Sequence, residues 1–406
     1  MDELARDYLL LALALGRLEE GIVDAYYGPP ELRAEADARD VTAEQLAAEA
    51  VSLRQRTTLE PDTQRALWLD RQLLALETIG SRLAGEELDY VEEVRRCFDA
   101  APTATPDEHY HEARATLDEL LPPGADLQQR LEERNRRLTV PAERLHGIAD
   151  WLMDEVRQSC LTHFALPPGE SLTVSMVSGQ PWSGYNWYEG QLRSRIEFNT
   201  DLPARAPELI SLATHEGFPG HHLEHAWKET SLVRQQGRAE ASIQLINTPE
   251  AYVSEGLAEV GGRYVVDRPR WQELLAAICQ RSGSAPAKVQ PEREWQISRT
   301  LNGLRAVSAD AALLLHAEQR PRAEVLDFLQ EKGLRNRQQA EKSLEFIGHP
   351  LWRTYVFCYS GGERLLARWC AAAGDLEAQR RRFFRLLTEQ LTPSGLAAEL
   401  ADAEIS

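Results

Sequence analysis

The strongest constraint on this chain is a spacing. Through most of its first 165 residues, apolar side chains recur every three or four positions among Ala, Leu, Glu and Arg, the pattern of helices built from strong helix formers. The runs 1–27, 42–57, 64–83, 86–99 and 107–121 carry it, and a further run covers 126–164. Proline and glycine separate them at Gly28-Pro29-Pro30, between Pro102 and Pro106, and at Pro122-Pro123-Gly124. No internal repeat of solenoid length is present. At Leu166-Pro167-Pro168-Gly169 the character changes. Leu172 to Val177 and Arg195 to Asn199 read as strands, the second with Ile196 and Phe198 alternating against polar neighbours. Helical spacing returns after 207, with breaks at 283–286 and at Gly348-His349-Pro350. The prediction is a mainly α protein with one small antiparallel sheet, in an N-terminal helical region (1–165) and a region carrying sheet and helices (166–406).

Composition narrows the partners. Asp and Glu number 64 against 45 Lys and Arg, a formal charge of −19. Such a surface repels nucleic acid and anionic lipid, so neither is expected as a partner. The five cysteines are few, odd in number and widely spaced, without a CxxC pair, which predicts buried thiols in a reducing compartment. The start Met1-Asp2-Glu3 is acidic where a signal peptide is basic. The longest apolar stretch near it, Tyr8 to Leu15, is too short for a membrane span and reads as one face of a first helix. A soluble, cytoplasmic chain is expected.

Chemistry concentrates in one segment. Four of the ten histidines fall within His215-Glu216-Gly217-Phe218-Pro219-Gly220-His221-His222-Leu223-Glu224-His225, after an amphipathic approach helix. A His-Glu pair on such a helix opens the logic of zinc hydrolases, in which one imidazole ligates the metal and the adjacent carboxylate activates water. The usual second histidine lies four residues on, where this chain has Pro219. On a straight helix His221 would sit about 120° off the face of His215, and His222 about 10.5 Å along the axis. Neither could share a small ion with His215. Pro219 breaks the helix and Gly220 accepts almost any backbone conformation, so a bulge there can carry His221 to the i+4 place. His215 and His221 are the expected ligands and Glu216 the expected base. His222 is the reserve ligand, and the pair His221/His225 is a weaker alternative that leaves Glu216 idle.

A third ligand is needed. Thr248 and Pro249 are good residues to open a helix, and Glu255 and Glu259 lie on one face of it beside the small Gly256 and Ala258, which permit close approach of another helix. Like charges four apart repel unless a cation is near. Glu255 is the expected ligand, with Glu259 orienting a ligating histidine from behind.

The segment His215 to His222, followed by Glu255-Gly256-Leu257-Ala258-Glu259, resembles the domain-of-unknown-function 885 family, which is similar in fold to Taq-type zinc carboxypeptidases of the gluzincin group. The resemblance implies a two-lobed helical metallopeptidase-like fold with a groove and one zinc ion on its floor. It also implies His215, His221 and Glu255 as ligands and Glu216 as base. Tyr359-Ser360-Gly361-Gly362 fits the family's C-terminal Tyr-x-x-Gly, making Tyr359, or Tyr355 one turn earlier, the oxyanion donor. Arg305 and His316 fill the ends of a family Arg…Asp-x-x-x-His pattern, but position 312 is Ala where the acid belongs. The strand Arg195–Asn199 takes the place of the substrate-aligning edge strand of gluzincins.

The function expected from these residues is hydrolysis of amide bonds in short peptides, carboxypeptidase-like, with Arg353 or Arg364 anchoring a substrate carboxylate and His316 assisting. A silent metal-binding protein of the same fold, and a non-peptide amidase, are the competing readings. The sequence leaves the oligomeric state open.

Overall fold

Asp2 opens the first helix, Glu3–Leu18, by accepting a hydrogen bond from the Ala5 amide at 2.8 Å. In the computed structural model, which describes residues 1–405 except 125, 181, 202 and 284–288, Tyr8 to Leu15 are each at most 6% exposed. The stretch is therefore enclosed on every side, not on one face as expected, because a helix apolar all round belongs inside a core. The helix also ends earlier than its composition suggested. Gly21 takes a left-handed conformation (φ 88°) and Val23–Tyr26 forms a strand, β1.

The next runs form helices near their expected bounds, Ala43–Thr57, Thr63–Leu83, Tyr90–Phe98 and Asp107–Leu120. The run over 126–164 is two helices, Leu127–Leu138 and Ala142–Leu161, because Pro141 cannot continue the first and suits the start of the second. Beyond Gly283, which caps the helix Arg268–Ser282, the break expected at 283–286 lies outside the described residues.

The apolar residues collect in two cores. One gathers Tyr8 to Leu15, Trp68, Phe98, Tyr110 and Val356 to Cys358. The other gathers Leu152, Ile196, Phe198, Phe218, Trp369 and Phe383. Each draws on both sides of residue 165. Two helices run through both cores. Pro249–Val265 places Ala251 and Tyr252 in the first and Val253, Leu257 and Val260 in the second, while Val356–Ala371 places Cys358 in the first and Leu366 and Trp369 in the second. They touch backbone to backbone: a Cβ on Gly256 would lie 2.6 Å from the Gly362 carbonyl carbon. This is the close approach expected of Gly256, and it sets Glu255 against the start of the second helix. The protein is thus mainly α and two-lobed, with a cavity of about 1330 Å³ lined from both cores.

Among the described residues, five strands complete it. β1 pairs antiparallel with β5 (Ile243–Leu245); Val23 faces Leu245 and Ala25 faces Gln244, so Asp24 is the extra residue of a bulge. β2 (Ser171–Val177), β3 (Gly184–Gly190) and β4 (Arg193–Asn199) form a second sheet in the order β2-β4-β3, with β3 antiparallel and β2 parallel to β4. The Arg195–Asn199 segment is therefore the central strand, hydrogen-bonded on both sides, and cannot be a substrate edge. Alternation of apolar and polar residues marks a half-buried strand but not its rank in a sheet. The edge beside the cavity is β3. All five cysteines are buried and unpaired.

Candidate metal centre

The approach helix Ala206–Leu212 widens into a π-type turn at Ala213–Gly217, where the Phe218 amide reaches back to the Ala213 carbonyl, five residues earlier, at 3.3 Å. The Phe218–Pro219 peptide is cis. The Gly220 amide then returns to the Thr214 carbonyl at 3.0 Å, and a new helix, His221–Lys228, begins. Only glycine fits at 220, since a Cβ there would lie 1.8 Å from the His215 carbonyl oxygen. The wide turn and the restart bring His221 Nε2 to 3.2 Å from His215 Nε2, with the rings at 86°. The expected bulge is there, and it brings together the two imidazoles that a straight helix would separate.

Glu255 arrives from Pro249–Val265. Its Oε2 lies 3.3 Å from His215 Nε2 and its Oε1 3.8 Å from His221 Nε2. Donor atoms of His215, His221 and Glu255 all lie within 4.8 Å of one another. Two features say what fits between them. Glu255 Oε2 is buried and accepts no hydrogen bond, a costly state for a carboxylate oxygen. Two imidazole nitrogens facing at 3.2 Å can share at most one proton, yet that separation is close to the edge of a tetrahedron whose centre lies about 2 Å from each corner, the Zn–N bond length. The donor set fits a divalent cation.

The surrounding field agrees. Burial alone would lower both imidazoles, but the nearby Glu255 carboxylate and the Glu216 charge hold His215 above its ordinary range. Glu224, Glu255 and Glu216 push His221 up to about 10. For Glu255, burial works upward and is overcome by His215 and His221, which hold the carboxyl down. Positive charge is what the cluster lacks. Glu216, 6% exposed, is raised chiefly by burial, against His215 and His221; its backbone carbonyl accepts from Asn186 Nδ2 of β3 at 2.7 Å.

Behind these groups stands a second layer. Glu259 Oε1 lies 3.6 Å from His215 Nδ1, and Glu259 Oε2 accepts from Arg305 Nη1 at 2.8 Å. Ser254 Oγ lies 3.2 Å from His221 Nδ1 and donates to Glu224 Oε2 at 2.5 Å. The Tyr355 hydroxyl donates to Glu255 Oε1 at 2.7 Å. Tyr359, one turn on, lines the cavity and makes no hydrogen bond among the described residues. A second grouping, His221 with Glu224 and His225, also has metal-like spacing. Its carboxylate already pairs with Lys228 at 2.7 Å, and His225 Nδ1 meets Gln244 Nε2, so it offers a cation less.

Four expected residues are placed elsewhere. His222, fully buried, points away from the centre, with Nδ1 2.8 Å from Ser194 Oγ and Nε2 3.0 Å from Glu170 Oε2. Arg353 pairs with Glu93 and lies over the Tyr90 ring. Arg364 is exposed and donates to the Thr103 carbonyl. His316 meets the Ile347 carbonyl at 2.7 Å and packs on Tyr90. None of the four lines the cavity: nearness in sequence to Tyr355 or His221 does not decide which face Arg353, Arg364 or His222 takes, and the pattern that offered His316 lacks its acid at Ala312. Sequence reasoning missed Asp24, Tyr185, Asn186 and Ser254, which come from strands and a helix flank without a motif.

No family model matches the chain, and no curated protein matches it, so the family resemblance rests on the motif residues alone. Solved structures do match. The "putative lipoprotein from Colwellia psychrerythraea" superposes with a TM-score of 0.54 at 16% identity, covering 90% of this chain and 68% of that one. The "putative lipoprotein of unknown function from Shewanella oneidensis" gives 0.50 at 12% identity, covering 98% and 83%. An M32 carboxypeptidase from Deinococcus radiodurans R1 gives 0.39 at 12% identity, covering 98% and 94%, a likeness that carries no argument. Among the described residues no helix is long and apolar enough to cross a membrane. The expectation of a cytoplasmic chain is nevertheless overturned, since the two neighbours that share the fold are described as lipoproteins. In fold, the chain is similar to these two helical proteins across nearly all of its length.

Proposed function

We propose that the chain is a zinc-dependent hydrolase of amide bonds that acts on short peptides in a carboxypeptidase-like fold. The observation that carries this reading is the convergence of His215 Nε2, His221 Nε2 and an unsatisfied Glu255 oxygen, with the buried carboxylate of Glu216 next in the chain. His215, His221 and Glu255 would hold the ion. When bound, zinc would act as a Lewis acid on the scissile carbonyl and make water acidic near neutral pH. Glu216 takes the proton of the attacking water and returns it to the leaving amine. Tyr359, whose hydroxyl is uncommitted, donates to the oxyanion. Glu259, held by Arg305, fixes the His215 ring, and a cavity of about 1330 Å³ admits short chains rather than folded proteins.

Tyr355, the other candidate donor, is given to Glu255. Tyr355→Phe is expected to weaken zinc binding by about 10- to 100-fold, the usual cost of losing a group that orients a metal ligand. Competition with a chromophoric chelator measures it. An unchanged affinity with a reduced kcat would return Tyr355 to the oxyanion role.

The purified zinc-loaded chain is expected to cleave members of a mixed library of di- to hexapeptides. Products read by mass spectrometry should disappear on chelation and return with zinc. A chain that binds zinc and cleaves nothing across that library would be the silent metal-binding protein instead.

A further inference from the structure

Asp24 is one of three carboxylates on the cavity, with Glu216 and Glu345, that enter no ion pair among the described residues. Glu259 pairs with Arg305, Glu224 and Glu250 with Lys228, and Glu363 with Arg263. Among the described residues no cation pairs with Asp24; its Oδ1 accepts a hydrogen bond only from the neutral Tyr185 hydroxyl. Its direction is set by the backbone. As the extra residue of the β1 bulge it leaves the alternation of the strand and faces the cavity, and bulges recur where a side chain must be re-aimed at a site. Burial, opposed by the charge of His221 and reinforced by those of Glu255 and Glu216, raises its carboxyl to about 7, and a cation arriving beside it would favour the ionised form.

The wall beside it is aromatic. Trp182 and Tyr185 line the same cavity with ring centroids 5.4 Å apart, and Trp187 lies 4.6 Å beyond Tyr185. A carboxylate without a counter-ion next to π faces suits an ammonium group, which gains a charge-assisted hydrogen bond and a cation–π contact together. It does not suit an anion or a hydrocarbon.

We propose that Asp24, flanked by Tyr185 and Trp182, binds the free α-ammonium group of a short peptide, so that the chain selects substrates whose unblocked amino terminus reaches Asp24 while an amide lies at the metal centre. The proposal rests on reading the centre as a peptidase and adds the substrate end it recognises.

The test is binding, so that it does not depend on turnover. The zinc-loaded Glu216→Gln chain is titrated calorimetrically with trialanine and with N-acetyl-trialanine. Trialanine is expected to bind at least tenfold tighter, and adding Asp24→Asn should abolish the difference while leaving the acetylated peptide unaffected. Equal binding of the two peptides overturns the proposal, as does a difference that survives Asp24→Asn. N-acetyl-Ala-Lys-Ala binding as tightly as trialanine would place a lysine side chain there and overturn the terminal assignment. The comparison with Asp24 intact stands even if Asp24→Asn does not fold. Failure of the peptidase reading shows separately, as absence of cleavage by the zinc-loaded chain with native Glu216.

Discussion

Replacing Glu216 by Gln is expected to lower kcat by about 10³-fold, the middle of the range for a general base, while zinc remains bound. The carboxylate directly follows His215 in the chain and is 6% exposed in the wall of the cavity. It is not among the atoms that could grip the ion. Glutamine keeps its shape and removes only proton acceptance. Stability of the metal-free chain should not fall. Burial, opposed by His215 and His221, raises the Glu216 carboxyl, so the folded chain holds that proton more tightly than the unfolded one. Stability from this group is present at low pH and is lost as pH rises through the raised value. In the chain without a bound metal, ionising Glu216 therefore works against the fold, and the amide relieves it. Steady-state kinetics, zinc content and a thermal melt read all three. Near-native turnover, or loss of zinc, would remove Glu216 from the role of base.

What the sequence made legible follows physical lines. Helices with apolar residues at three and four were readable, because burial of one face demands that period whatever the neighbours are. The centre was readable where the chemistry is local. His215, Glu216, Pro219, Gly220 and His221 lie within one turn and its restart, and Glu255 announces itself by repelling Glu259 unless a cation is near. Contacts made across the fold were not readable. Asp24 enters the cavity only because a strand that looked like the end of the first helix bulges against β5. Nearness in sequence to Tyr355 points Arg353 toward the site, yet Glu93, far away in sequence, pairs with it. The adjacent pair His221 and His222 illustrates the limit. One turns into the centre and the other into a buried bond with Glu170 and Ser194, and about 100° of helical rotation separates them.

Gly220→Ala is the second change expected to have a large effect, and it tests whether the turn makes the site. The added Cβ would lie 1.8 Å from the His215 carbonyl oxygen, 2.5 Å from its carbon and 2.6 Å from the Thr214 oxygen. All three are backbone atoms of the wide turn, so no side chain can swing aside. Relief requires either that the Thr214–His215 peptides rotate, taking the His215 ring with them, or that residue 220 withdraws, taking His221. Each movement ends the 3.2 Å approach of the two Nε2 atoms. The cost should reach or exceed about 3 kcal/mol, the upper end for overpacking, because the clash falls on main chain. Zinc affinity should drop at least about 100-fold. Gly147→Ala supplies the contrast. Gly147 is an exposed residue of the helix Ala142–Leu161 with nothing within 4 Å of its added Cβ, and alanine there should stabilise the chain by about 0.5–1 kcal/mol. Opposite signs for one chemical change, read by chemical denaturation, would trace the metal centre to the geometry of a single turn. A Gly220→Ala chain that kept native zinc affinity and stability would mean that His215 and His221 do not need that turn in order to meet.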